Sequence, residues 1–100
     1  MAAKTVEFLN AASTEYEAAF DWYFTRSEAS AANFAHEIAH AVSMIAEAPE
    51  RWPASPHGTR KFLLHRFPFA VVYREQPTAV QVLAIAHGHR RPGYWKTRLG

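Results

Sequence analysis

The hydrophobic period changes near the middle of this 100-residue chain, and that change limits the folds open to it. Before Pro49 the apolar side chains recur at helical spacing. One set is Tyr16, Ala19, Phe20 and Tyr23; the next is Phe34, Ile38, Ala41, Val42 and Ile45. Spacing of three to four residues buries one face of a helix. Ser13 or Thr14 is a candidate N-cap, with acidic residues following in the first turn. The first helix is expected to end near Arg26 or Ser27. A second starts after Ser30, and Pro49 and Pro53 stop it. A short link makes the two helices an antiparallel hairpin.

The second half reads as strands. Arg60 to Arg66 is strand-like, and Phe67–Pro68 breaks it. Phe69 to Arg74 is rich in aromatic and β-branched residues. Gln76 to Ala79 reads as a turn. Val80 to Ala86 is apolar except for Gln81, as expected of a central strand buried on both faces. Thr5 to Leu9 is short and alternating, which fits an edge strand. The expectation is one α+β domain over residues 1–100: an N-terminal strand, an antiparallel two-helix hairpin, then a three-stranded antiparallel sheet.

Charge divides at the same place. Residues 1–50 hold two basic residues against eight acidic ones, a net −6. Residues 51–100 hold nine basic residues against Glu75 alone, a net +8. Such asymmetry points to an anionic partner for the second half, either nucleic acid or an acidic protein segment. A solvated basic face, or pairing with the chain's own acidic half, is the alternative.

There is no cysteine, so disulfides, thiol catalysis and cysteine-based zinc sites are excluded. The opening MAAKTVEFLN has no apolar export signal, and no apolar run is long enough to span a bilayer. The expected location is cytoplasmic, with no membrane role.

His36 to His40 reads HEIAH, the spacing of a zinc-protease helix. Helix geometry opposes that reading. At about 100° per residue, Phe34, Ile38, Ala41 and Ile45 centre near roughly 20°, whereas His36 and His40 fall near roughly 200° and 240°. The two histidines are expected in solvent, and neither a metal nor another cofactor is expected.

His65, His87 and His89 lie in the basic half. A neutral imidazole accepts a proton from a ribose hydroxyl, and an imidazolium contacts phosphate. Simple polar surface is the other reading. Arg60, Lys61, Arg66 and Arg74 sit on or beside neighbouring strands, so cross-strand adjacency is expected to gather several on the sheet face opposite the helices. The segment AHGHRRPGYWKTRLG interleaves Arg90, Arg91, Lys96 and Arg98 with Tyr94 and Trp95. Such a segment binds single-stranded nucleic acid by charge and stacking, or its aromatics pin the tail to the core.

Four stretches together carry a resemblance. They are WYFTR at Trp22–Arg26, PERWP at Pro49–Pro53, FLLHRFPFAVVYR at Phe62–Arg74, and VLAIAHGHRRPGYWKTR at Val82–Arg98. In this order they resemble the RelE/ParE toxin superfamily, above all its plasmid-stabilisation-type members. The resemblance implies a small α+β fold with a helical hairpin against an antiparallel sheet. It also implies the toxin of a type II toxin–antitoxin module, held in a hetero-oligomer by a cognate antitoxin whose C-terminal segment wraps it.

Two targets are implied. ParE-like members inhibit DNA gyrase, and RelE-like members cleave mRNA on the ribosome. For the nuclease reading the candidates are Arg60, Arg66, His87, Arg90 and Tyr94. For target or antitoxin binding they are Arg60, Lys61, Arg74, His89, Arg91, Trp95, Lys96 and Arg98. The sequence departs from the ribonuclease pattern at two places. Ala70 stands where the ribonuclease has an Arg, and Phe62 stands at a second basic position. Losing a phosphate-stabilising donor costs orders of magnitude in rate. That favours a binding inhibitor over an enzyme, although Arg66, His65 and His87 are possible substitutes.

Overall fold

The computed structural model describes residues 3–100. Strand β1 (Thr5–Phe8) leads into helix α1 (Asn10–Phe24) and helix α2 (Glu28–Glu47). A 3₁₀ turn at Pro49–Arg51 follows, then the short strand β2 (Ala54–Ser55). Strands β3 (Thr59–Leu63), β4 (Phe69–Glu75) and β5 (Ala79–His87) complete the sheet, and a 3₁₀ segment, Tyr94–Leu99, ends the chain.

The α+β class and the order of elements agree with the sequence reading, but the sheet is larger. It has five strands in the order β1-β5-β4-β3-β2. It is also mixed, because β1 runs parallel to β5. The helical hairpin supplies the crossover that a parallel pair requires. Strand β5 is therefore central and takes partners on both sides. Its burial follows: Val80, Val82, Leu83, Ala84 and Ile85 are all buried.

Several boundaries move for local reasons. Helix α1 begins at Asn10, so Ser13 and Thr14 lie inside it and cap nothing. The Leu9 N–H still donates to the Val82 carbonyl, and the Ser13 N–H already donates to the Leu9 carbonyl. The chain thus turns from sheet to helix in one residue. Helix α1 ends at Phe24, earlier than expected, and α2 starts at Glu28, also earlier. The cap is Ser27, whose side chain accepts from the Ser30 N–H at 3.1 Å.

Strand β3 stops at Leu63, short of the expected Arg66. The reason is Glu37. Its carboxylate accepts from the backbone N–H groups of His65 and Arg66, which turns this stretch toward α2 and away from the ladder.

Two apolar clusters flank the sheet. Phe34, Ile38, Ala41 and Ile45 of α2 pack with Ala12 and Ala19 of α1 on Val71, Tyr73, Val80, Val82 and Ile85. On the other face Val72, Leu83 and Ala84 pack under Trp95, with Leu9, Tyr94 and Leu99 around them. That second face was expected to be an open basic surface. Instead the C-terminal 3₁₀ segment covers its centre.

Candidate functional site

Strand register assigns each basic residue to a face. Residues directly opposite in an antiparallel pair share a face. Lys61 lies opposite Val72, so it belongs to the second face. Arg60 lies opposite Tyr73, on the helix-covered side, and donates to the Trp52 carbonyl at 2.7 Å. Arg74 lies opposite Gln81, donates to its side chain at 2.8 Å, and reaches the Leu99 carbonyl at 3.3 Å. Arg66 lies beyond β3, is largely exposed, and faces Glu37 at 3.8 Å. The four cations thus do not gather on one surface. Strand alternation and the early end of β3 separate them.

The C-terminal residues do converge, on Glu15 of α1. Tyr94 donates its hydroxyl to the Glu15 carboxylate at 2.7 Å. Arg98 grips the same carboxylate with both terminal nitrogens, each at 2.9 Å, and one of them also reaches the Leu83 carbonyl. The Ile85 N–H donates to Glu15 as well, at 3.0 Å. Burial alone disfavours the charged carboxylate. The bonds from Arg98, Tyr94 and Ile85 outweigh it and lower the Glu15 pKa below its ordinary value. Burial, then the bond to Glu15, raises the Tyr94 phenol far above the ordinary range.

His87, Arg90 and Tyr94 line a cleft between α1 and the loops at Pro68 and after β5. The Arg90 guanidinium stacks 3.8 Å over the Tyr94 ring. The His87 Nδ1 accepts from the His89 N–H at 3.0 Å, so a neutral His87 carries its proton on Nε2. Trp95 is buried at 2% exposure, whereas His89, Arg91 and Lys96 are exposed. His36 and His40 are exposed, as the helix geometry required. Among the described residues, no group of three or more His, Asp or Glu is placed to hold a metal ion. No described helix is long and apolar enough to cross a membrane.

Residues 6–92 match the family described as ParE toxin of type II toxin-antitoxin system, parDE. The chain belongs to the ParE toxin family. A solved chain from the chromosomal ParDE TA system of P. aeruginosa has the same fold, with a TM-score of 0.74 at 20% identity. The match covers 85% of this chain and 96% of that one. No curated relative matches the sequence.

Within this ParE-family chain, the nuclease candidates fall into three places. His87, Arg90 and Tyr94 share one cleft. Arg60 is held behind the sheet, and Arg66 lines a groove against α2. Glu15 escaped the sequence reading, yet a signal for it exists. It sits three residues after Ala12 and four before Ala19, both buried, so it is an acid beside an apolar stripe. Such an acid demands cationic or hydrogen-bonding partners.

Proposed function

We propose that this protein is the toxin of a type II toxin–antitoxin pair, and that it arrests growth by binding DNA gyrase without performing chemistry. The observation that carries the non-catalytic reading is the engagement of Tyr94 and Arg98 by Glu15. A tyrosine that serves as a general acid must direct its hydroxyl proton at the leaving group. Tyr94 instead holds that proton against a carboxylate, with its pKa raised by burial.

Two further features support this reading. Ala70 and Phe62 leave no cation at the positions where the ribonuclease pattern has one, and Phe62 packs edge-on against Trp52 with ring centroids 4.5 Å apart. Arg60 has its guanidinium committed to the Trp52 carbonyl. The cognate antitoxin is the proposed partner, in keeping with family membership and with the ParDE pair to which the similar chain belongs.

Endonucleolytic cleavage of mRNA is the second reading. His87, Arg90 and Tyr94 on one cleft favour it. Brief induction of the toxin separates the two. Gyrase inhibition gives DNA-break signalling with intact mRNA, and purified gyrase loses supercoiling activity. Prompt translation arrest with cut mRNA overturns the gyrase reading.

A further inference from the structure

One face of α1 carries a notch. Glu15, Ala18, Ala19 and Trp22 recur at helical spacing, so they share a side of the helix. The two alanines are small, and the larger Glu15 and Trp22 flank them. The notch opens into a cleft of about 450 Å³, walled on its other sides by Pro68, Phe69, Ile85, His87, Arg90 and Tyr94. That size falls within the range of small-molecule pockets, about 300–1,000 Å³.

The walls are held in place by the protein's own bonds. The Gly88 N–H donates to the Pro68 carbonyl at 2.8 Å, and the Arg90 N–H donates to the His87 carbonyl at 3.0 Å. Tyr94 is tied to α1 through Glu15. The His87 ring packs edge-on against Phe69, with ring centroids 5.0 Å apart, while its Nδ1 takes the His89 N–H. Trp22 is 53% exposed, and Arg26 stacks 3.6 Å over its ring, which steadies an aromatic wall at the rim. A site that needs little ordering binds its ligand at lower cost.

The chemistry of the lining is one-sided. Ala18, Ala19, Pro68, Phe69 and Ile85 supply no side-chain donor or acceptor. The uncommitted polar groups are donors. With Nδ1 engaged, neutral His87 has its Nε2–H to offer. Arg90 lies 3.8 Å over the Tyr94 ring and forms no ion pair among the described residues. The one acid in the lining, Glu15, is already taken by Ile85, Tyr94 and Arg98. A cationic ligand therefore meets no free carboxylate. A fitting ligand brings acceptors for His87 and Arg90 and an apolar body for the rest.

We infer that this cleft binds a small planar aromatic carboxylate. The ring lies on Ala18 and Ala19 beside Trp22 and Phe69, and the carboxylate faces His87 and the planar fork of Arg90. A nucleotide suits the cleft less well, because its base edge would be buried against alanine, proline and isoleucine without hydrogen-bond partners. The site is separate from the choice of growth-arrest target.

The test titrates the full-length protein with indole-3-carboxylate, followed by calorimetry and amide spectra. Saturable binding is expected, with shifts at Ala18, Trp22 and His87. Indole, which lacks the anion, and acetate, which lacks the ring, are each expected to bind at least tenfold more weakly. Arg90→Gln removes the charged partner and is expected to weaken binding about tenfold, with an unchanged melting temperature. Ala18→Phe fills the notch from an exposed helix position and is expected to abolish binding; Arg90→Gln decides the matter if that variant does not fold. Absence of saturable binding, shifts elsewhere, unaltered affinity in Arg90→Gln, or equal affinity for indole each overturns the inference. Tighter binding of uridine 5′-monophosphate at the same residues overturns it too, and favours the nuclease reading.

Discussion

Arg98 closes on Glu15 with two parallel bonds of 2.9 Å each, joining the last turn of the chain to the first turns of α1. This geometry is the strong form of an ion pair, since the planar fork matches the carboxylate. Both side chains are mostly buried, at 20% and 17% exposure. The pair therefore escapes the screening that makes exposed pairs nearly worthless. Glu15→Gln keeps the shape and removes the charge, leaving Arg98 without its anion. The expected loss is about 1–3 kcal/mol, read as a fall in denaturation midpoint at neutral pH.

The same pair sets an acid limb of stability. The folded-state pKa of Glu15 is lowered, so its contribution is complete above the ordinary value of 4.5. It is lost as pH falls through the lower folded-state value. The gap between the native protein and Glu15→Gln is expected at pH 7 and should shrink steadily below pH 4.5. Urea titrations at a series of pH values measure it. A gap that widens in acid would contradict the assignment.

Trp95 is the anchor of the second face. It is buried at 2% against Val72, Leu83 and Ala84. Truncating a buried aromatic to Ala costs about 3–5 kcal/mol. For a domain of this size each kcal/mol moves the melting temperature by roughly 4–8 °C. Trp95→Ala is thus expected to melt far below the native protein. Faster hydrogen exchange should appear first at Leu83 and Ala84.

The two halves of the fold were not equally legible in the sequence. The stripes of α2 and the apolar run of β5 announce themselves, because burial imposes a period that survives any context. The parallel pairing of β1 with β5 does not. It depends on the hairpin crossing back over the sheet, and no local pattern in Thr5–Phe8 encodes its partner. The early end of β3 was hidden for a similar reason: Glu37 reaches His65 and Arg66 from 28 and 29 residues away.

At the candidate site, the segment from His87 to Arg98 was visible as basic and aromatic, and Trp95 as a possible anchor. Its tie to Glu15, at separations of 79 and 83 residues for Tyr94 and Arg98, was not. Charge composition showed an acidic half and a basic half. It could not show which charges cancel inside the molecule.

Tyr73 tests a single buried hydrogen bond. Its ring is fully buried, and its hydroxyl donates to the Pro49 carbonyl, which fixes the turn after α2. Burial raises its pKa to about 12, with Glu75 and Glu50 adding to the rise and Arg60 opposing it. Tyr73→Phe keeps the packing and leaves the carbonyl unpaired. A loss of about 1–3 kcal/mol is expected. A spectroscopic titration gives a second readout: one tyrosine fewer should ionise at the alkaline end, with the earlier part of the curve unchanged.

The HEIAH helix yields a prediction about metal. His36 and His40 are exposed on α2, and Glu37 between them is occupied by backbone N–H groups. A zinc site of this kind needs both histidines, a free carboxylate as base, and a third protein ligand in a cleft. Chelator treatment is therefore expected to leave the melting temperature and growth arrest unchanged. His36→Ala with His40→Ala should shift stability by less than about 0.5 kcal/mol, as surface substitutions do. Glu37→Gln should behave differently. It weakens the acceptor that ends β3, so a loss of about 1 kcal/mol is expected, with faster exchange at the His65 and Arg66 amides. Equal effects from Glu37 and the two histidines would point back to a shared metal and against the strand-ending role argued for Glu37.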